Sequence, residues 1–295
     1  MKPGEPASRS LMRRSLLEIH AAVFLFGFPG LFGKWLPLPP HVIVLGRVVF
    51  ASLALGLVLA AARQPFRVRP ARDVRLLVLC GVLLAVHWTL FFKSIQVSSV
   101  AVGLLAYASF PVFTALLEPL VSSERWDIGA LGFAGVAAAG IVLMVPAFDL
   151  SNAVVQGLLW GLGAGLTFAL LTLVNRTLAQ RQSSLAVAFY QDLVAAVVLA
   201  PFAADAAAAV SVRSLVLLAV LGVFGTAAAH TLFIGGMKRV KARTASLLSA
   251  LEPVYGIVLA LVFLGERPSP RTLAGGTLIL AAALVVTARA GRDAA

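Results

Sequence analysis

The chain is 295 residues long, with 60% hydrophobic residues and only 12% charged ones, and its mean hydropathy is +0.98. Soluble domains carry about twice that share of charge and cannot hide so much apolar surface, so a soluble globular fold is excluded. A net charge of +12 and a pI near 11.2 would by themselves suggest nucleic-acid binding, so the location of the charge decides.

The N-terminus is basic (Lys2, Arg9, Arg13, Arg14) and then apolar. No small-residue cleavage site closes the apolar run, as a signal peptide would require, and many similar runs follow, so it reads as a first membrane helix. A bilayer-spanning helix needs about 20 mostly apolar residues. Ten such runs occur, at roughly 15–36, 41–62, 74–93, 98–121, 127–147, 154–176, 184–204, 212–235, 241–264 and 270–289. Turn signals fall between them: Pro37, Pro39 and Pro40 after the first, Pro65 and Pro70 in the basic segment Arg63 to Arg75, Ser122 and Ser123 after the fourth, Pro146, Pro201, and Pro268 with Pro270. The runs are continuous rather than alternating, which excludes a β-barrel. The expectation is an all-α polytopic membrane protein with ten transmembrane helices. Residues 1–14 and 290–295 form cytoplasmic tails, and 15–150 and 151–289 form two five-helix repeats.

Lysine and arginine set the orientation. With the N-terminus inside, 18 of the 24 basic residues fall on cytoplasmic segments, among them Arg67, Arg69, Arg125 and the run Lys238, Arg239, Lys241, Arg243. Lys34, Lys93, Arg213, Arg267 and Arg271 fall outside, and Arg47 lies within a span. Both termini are therefore expected in the cytoplasm. The Ala- and Arg-rich composition points to a bacterial inner membrane. The positive charge then records orientation and contact with anionic lipid, and nucleic acid is not an expected partner. The one cysteine, Cys80, permits no disulfide within the chain. No group of residues is spaced as metal ligands, and no cofactor is expected. HExxH, GxSxG and P-loop signatures are absent, so the chain does not read as an enzyme.

Shifted by 142 residues, the sequence falls on itself without gaps. Thr89-Leu90-Phe91 meets Thr231-Leu232-Phe233, Pro111-Val112 meets Pro253-Val254, and Glu124 meets Glu266. Leu105, Ala108 and Leu117 meet Leu247, Ala250 and Leu259. Each half holds five spans, an odd number, so the second half is inverted relative to the first. Inverted repeats with Gly- or Pro-interrupted helices point to a midplane site used by transporters. Pro111 and Pro253 are expected to bend the fourth and ninth spans, and Pro29 the first, since proline removes a helix hydrogen bond. Gly157, Gly161, Gly163 and Gly165 loosen the sixth span or serve its packing.

Val100–Val145 (VAVGLLAYASFPVFTALLEPLVSSERWDIGALGFAGVAAAGIVLMV) and Ala245–Val286 (ASLLSALEPVYGIVLALVFLGERPSPRTLAGGTLILAAALVV) share a small-residue run, a mid-helix proline, a glutamate at the helix end and a Gly-rich span. Both resemble the paired module of EamA-type members of the drug/metabolite transporter superfamily, over nearly the whole chain. The resemblance implies a five-plus-five inverted-repeat bundle with a central cavity, spans five and ten lying away from it. It also implies transport of small metabolites, often outward. The match is asymmetric: Phe110 stands opposite Glu252 and Phe189 opposite Arg47, so no substrate carries over.

Ionisable residues at bilayer depth are costly and normally face a cavity or a partner. Glu252 precedes Pro253 in the ninth span and is a candidate for substrate contact or proton coupling, or else a structural cross-helix acceptor. Asp192, beside Tyr190 and Gln191, is the second candidate for both roles. Arg47 either binds a substrate carboxylate or pairs with an acid. Tyr107, Tyr255, Trp88 and His87 are candidate substrate contacts, against the alternative of simple packing; His230 and His20 are weighed the same way. Glu118 is expected to snorkel toward the interface, and Trp35 and Trp126 to anchor there. The expected function is a secondary-active transporter, an exporter of amino acids or related metabolites working by alternating access. A channel, lipid flippase or receptor-like protein is the alternative, and an intramembrane enzyme a more distant one. A monomer suffices to hold both repeats.

Overall fold

The computed structural model describes residues 5–63, 70–121, 128–146, 149–179, 181–203, 210–237, 248–249 and 251–293. These form helices α1 (Glu5–Gly27), α2 (Pro29–Trp35), α3 (Pro40–Ala61), α4 (Ala71–Val97), α5 (Val100–Tyr107), α6 (Phe110–Val121) and α7 (Ile128–Met144). They continue with α8 (Ala153–Ala179), α9 (Ser184–Leu199), α10 (Val212–Gly222), a π-helical turn (Val223–Ala228), α11 (Ala229–Met237), α12 (Glu252–Leu264) and α13 (Pro270–Asp293). Among the described residues there is no strand. Among the described residues, seven helical segments are long and apolar enough to cross a membrane, and Leu131–Met144, Glu252–Leu264 and Pro270–Val285 are shorter apolar helices. Glu124, Arg125, Trp126, Arg67, Arg69, Leu247, Ala250 and the basic run Lys238 to Arg243 lie outside the described residues.

The surface is apolar where a soluble protein would be polar. Leu57, Val197 and Val262 are 72%, 67% and 69% exposed, as a lipid-facing exterior demands. The chain is a multi-pass membrane protein.

Packing obeys the two-fold exchange of the repeats. α4 packs along α8, and its counterpart α11 packs along α1. α4 also meets α9, as α10 and the π turn meet α3. α5 and α6 meet α8, as α12 meets α1. α3 with α9 and α7 with α13 are the self-paired contacts, and α5 of the fourth span also meets α12 of the ninth. α7 and α13 thus pair with each other at the edge, leaving the remaining spans around the centre.

Three of the central spans are broken. α1 gives way to α2 between Gly27 and Pro29. α5 stops at Tyr107 and α6 restarts at Phe110, one residue before Pro111; α12 starts at Glu252, one residue before Pro253. Proline at the first turn of a helix costs no hydrogen bond, so each break puts the proline where a helix begins. Gly265 ends α12 in the left-handed conformation (φ 67°), which glycine adopts at little cost. The turn that follows carries Glu266 to the start of α5, where its Oε2 accepts the Val100 N–H at 2.9 Å. One repeat thereby caps a helix of the other.

The α4–α8 pair is tied along its length at every seventh residue of α4. Gln182 Nε2 donates to Asp73 Oδ2 (2.8 Å) and Arg181 Nη1 to Asp73 Oδ1 (3.4 Å). Cys80 Sγ donates to Asn175 Oδ1 (3.6 Å), His87 Nδ1 pairs with the Ala164 carbonyl (2.9 Å), and Ser94 Oγ donates to the Gly157 carbonyl (2.6 Å). A seven-residue spacing returns to the same helix face, so Asp73, Cys80, His87 and Ser94 form one polar seam. At the 142 offset the counterparts are Leu215 and Gly222 on α10, where Gly222 packs against α3, and Ala229 and Gly236 on α11, the helix that packs along α1. There a Cβ added to Gly236 would meet Ile19 Cγ1 at 2.5 Å and the Ser15 carbonyl at 2.8 Å. One pair is joined by side-chain hydrogen bonds and the other by close backbone approach.

Candidate functional site

Arg47 is carried by the middle of α3 and is 2% exposed. Its Nε donates to Thr226 Oγ1 at 3.0 Å and its Nη2 to the Gly225 carbonyl at 3.4 Å, both in the π turn. Its guanidinium carbon lies 3.8 Å from the centroid of the Trp88 ring, on α4, and 5.8 Å from that of Phe92. A guanidinium over an indole face in a desolvated site gains about 2 kcal/mol. A buried cation is therefore held by neutral partners from two elements, the π turn and α4.

The acids stand around it without closing on it. Asp192, on α9, is 1% exposed, and among the described residues neither carboxylate oxygen has a hydrogen-bond partner. Glu252 is the first residue of α12 and is half-buried. Both lie within electrostatic reach of Arg47, yet neither forms a direct ion pair with it among the described residues. A buried carboxylate without partners is expensive, so Asp192 is a group whose partner comes from elsewhere or whose charge is not constant.

Aromatic rings form one wall. Trp88 stacks on His230 (6.1 Å between centroids, 20° between planes), and His230 meets Phe26 at 5.5 Å. His87, 3% exposed, has ring neighbours Phe168 at 4.9 Å and Tyr107 at 5.4 Å. Tyr107 in turn stacks on Phe110 at 5.3 Å (21°) and lies within electrostatic reach of Glu252.

The structure thus gathers Arg47, Trp88, His87, Tyr107, Asp192 and Glu252, drawn from both repeats. It places Tyr255 elsewhere, in the α1–α12 seam, where its ring meets Phe24 at 5.6 Å and its Cβ approaches Gly27. Gln191 and Asn175 are engaged with each other, Gln191 Nε2 donating to Asn175 Oδ1. Trp35 packs on Phe32 and Phe263. Among the described residues no three His, Cys, Asp or Glu group as a metal site.

Four contributors escape sequence reasoning: Thr226, Gly225, Phe168 and the π turn itself. Thr226 and Phe168 look like ordinary members of apolar helices. A signal did exist for the first two, since Gly225-Thr226 interrupts a run of larger apolar residues in the eighth span.

Comparison with known proteins adds the following. Residues 14–145 and 155–288 each match the EamA-like transporter family. An uncharacterized transporter of Bacillus subtilis, YxxF, is 26% identical, the alignment covering 94% of this chain and 91% of that one. The threonine/homoserine exporter RhtA of Escherichia coli is 30% identical over 79% of each chain. An S-adenosylmethionine uptake transporter of Rickettsia bellii is 27% identical over 71% of each. A solved crystal structure of 19% identity superposes with a TM-score of 0.67, covering 93% of this chain and 98% of the other, so the fold is shared.

Proposed function

Since the chain belongs to the EamA-like transporter family, which makes it a small-molecule transporter, we propose that it is a secondary-active exporter of an amino acid or closely related metabolite. The observation that carries this is the combination of one anchored guanidinium with two acids in electrostatic reach, of which Asp192 has no hydrogen-bond partner among the described residues, in a single aromatic-walled site. Such a site offers a cation for a carboxylate and an anion for an ammonium. Arg47 takes the carboxylate. Asp192 and Glu252 face the amine and carry the coupling proton. Trp88, His87 and Tyr107 supply apolar contact. The exporter named among the relatives supports the direction.

The packing supports alternating access. The repeats, 15–150 and 151–289, exchange contacts around the site, and the breaks before Pro29, Pro111 and Pro253 let half-helices tilt. Both termini face the cytoplasm of a bacterial inner membrane, with the basic loops against anionic lipid, and the monomer is the working unit.

The test is counterflow in proteoliposomes with labelled amino acids. Trans-stimulation by an unlabelled amino acid, reduced in Arg47→Lys, is the expected result. Uptake of no amino acid, or conductance without trans-stimulation, overturns the proposal.

A further inference from the structure

The position of Arg47 depends on an irregularity that only one repeat possesses. Thr89, Thr114, Thr167, Thr172, Thr231 and Thr277 each donate their hydroxyl to the carbonyl four residues earlier, the ordinary habit of a helical threonine. Thr226 instead donates to Leu221, five residues earlier, at 3.3 Å. The Ala229 N–H likewise returns to Phe224. The turn from Val223 to Ala228 is wide, and π turns of this kind recur at functional sites.

The bonding roles are then determined. Thr226 spends its hydroxyl proton on Leu221, so a lone pair is what it offers to Arg47 Nε. The Gly225 carbonyl takes one Nη2 hydrogen. Of the five guanidinium hydrogens, both on Nη1 and one on Nη2 have no partner among the described residues. The plane of the group is set by two bonds and by the Trp88 face, and the edge left over is the Nη1–Nη2 fork that pairs with a carboxylate through two parallel bonds.

The repeat supplies an internal comparison. At the 142 offset Arg47 becomes Phe189 and Thr226 becomes Leu84. The helix that holds Leu84 runs as regular α-helix from Ala71 to Val97. Arginine, threonine and wide turn meet where α3 of one repeat faces the π turn of the other, and all three are replaced where the symmetry-related helices α9 and α4 meet.

We infer that Thr226, presented by the π turn, is a positioning residue that orients Arg47 with its Nη1–Nη2 edge free for the carboxylate of the transported molecule. This rests on Arg47 being the substrate-binding cation. Carboxylate-bearing substrates are then selected over their amides and esters, and the selectivity resides in a residue that touches no substrate.

Two measurements on purified full-length protein test it. Counterflow of L-threonine is compared in wild type, Thr226→Val and Thr226→Ser, with L-threoninamide as competitor. Thr226→Val keeps the volume and removes the acceptor. It raises the KM for threonine about tenfold, the scale of one charge-assisted hydrogen bond. Vmax stays in place, the preference for threonine over the amide disappears, and Thr226→Ser restores both KM and preference. Separately, the rate of phenylglyoxal modification at Arg47 is followed by peptide mass spectrometry; it changes in Thr226→Val and returns to the wild-type rate in Thr226→Ser. An unchanged KM and acid-to-amide preference in Thr226→Val overturns the inference, as does an Arg47 reactivity indifferent to the substitution. If wild-type protein moves no threonine, the proposed substrate class fails, and the phenylglyoxal rates alone decide the positioning role.

Discussion

Gly222 closes α10 where that helix crosses α3, and alanine there is a sharp perturbation. An added Cβ lies 2.5 Å from the Arg47 carbonyl oxygen, 2.7 Å from Phe50 Cβ and 3.1 Å from Ala51 N. Two of these neighbours are backbone and cannot rotate away, so α3 and α10 must part by about 0.5–1 Å to reach ordinary contact. Overpacking costs about 1–3 kcal/mol, and a clash with two backbone atoms that cannot rotate away belongs to the upper part of that range, about 2–3 kcal/mol. The better helix propensity of alanine returns at most about 1 kcal/mol, leaving a net loss of about 1–2 kcal/mol. At roughly 2 °C per kcal/mol for a chain of this size, the melting temperature falls by about 2–4 °C. Gly132 and Gly135 in α7 are the controls. A Cβ at either meets nothing within 4 Å, so alanine gains only propensity and raises the melting temperature by up to about 2 °C. The assay is a thermal ramp with a thiol-reactive dye, because Cys80 is the only cysteine and is buried. The displaced backbone belongs to Arg47 itself, so counterflow by Gly222→Ala falls further than its folded fraction. If Gly222→Ala melts at or above wild type, or Gly132→Ala falls with it, the close crossing is not a constraint and the reasoning is refuted.

Three further outcomes are expected. Arg47→Lys keeps the charge but loses the fork and the stacked plane, so kcat/KM for the transported amino acid drops about tenfold or more; wild-type counterflow kinetics would remove Arg47 from the site. Glu252→Gln abolishes the acceleration of transport by an imposed proton gradient while exchange without a gradient continues; a gradient response equal to wild type rules out Glu252 as the proton carrier. Ser94→Ala deletes one link of the α4–α8 seam, worth about 1 kcal/mol, and lowers the dye-reported melting temperature by about 2 °C; a melt unchanged from wild type would mean that this bond adds nothing to the pair.

The membrane-crossing helices and the repeat were legible because hydropathy is a local property. A run of about 20 apolar residues reports a bilayer crossing whatever it packs against, and Pro111 with Pro253 marks the repeat through a constant offset. The seam of Asp73, Cys80, His87 and Ser94 was also present in the sequence, at a spacing of seven. It carried no message there, because the partners Asn175, Ala164 and Gly157 run backwards along another helix, with Gln182 just beyond its end. Arg47, Asp192 and Glu252 stood out one by one as charges at bilayer depth.

What joined them was tertiary. Arg47 and Thr226 are 179 residues apart, and no local pattern links an arginine of one repeat to a threonine of the other. The sequence alone offers Tyr107 and Tyr255 alike as candidate substrate contacts. The fold sends Tyr107 to His87 and Phe168 and Tyr255 to the α1–α12 seam, because the half-helices on which they sit face different neighbours. The π turn is the clearest case. Whether a carbonyl is reached from four residues away or five is settled by competition between backbone and side-chain donors in the packed helix, and Arg47 is the donor that fills the place the wide turn creates. Composition determined that this chain lives in a membrane and is built twice; the contacts between the two copies decided which charges share a site and which way the arginine points.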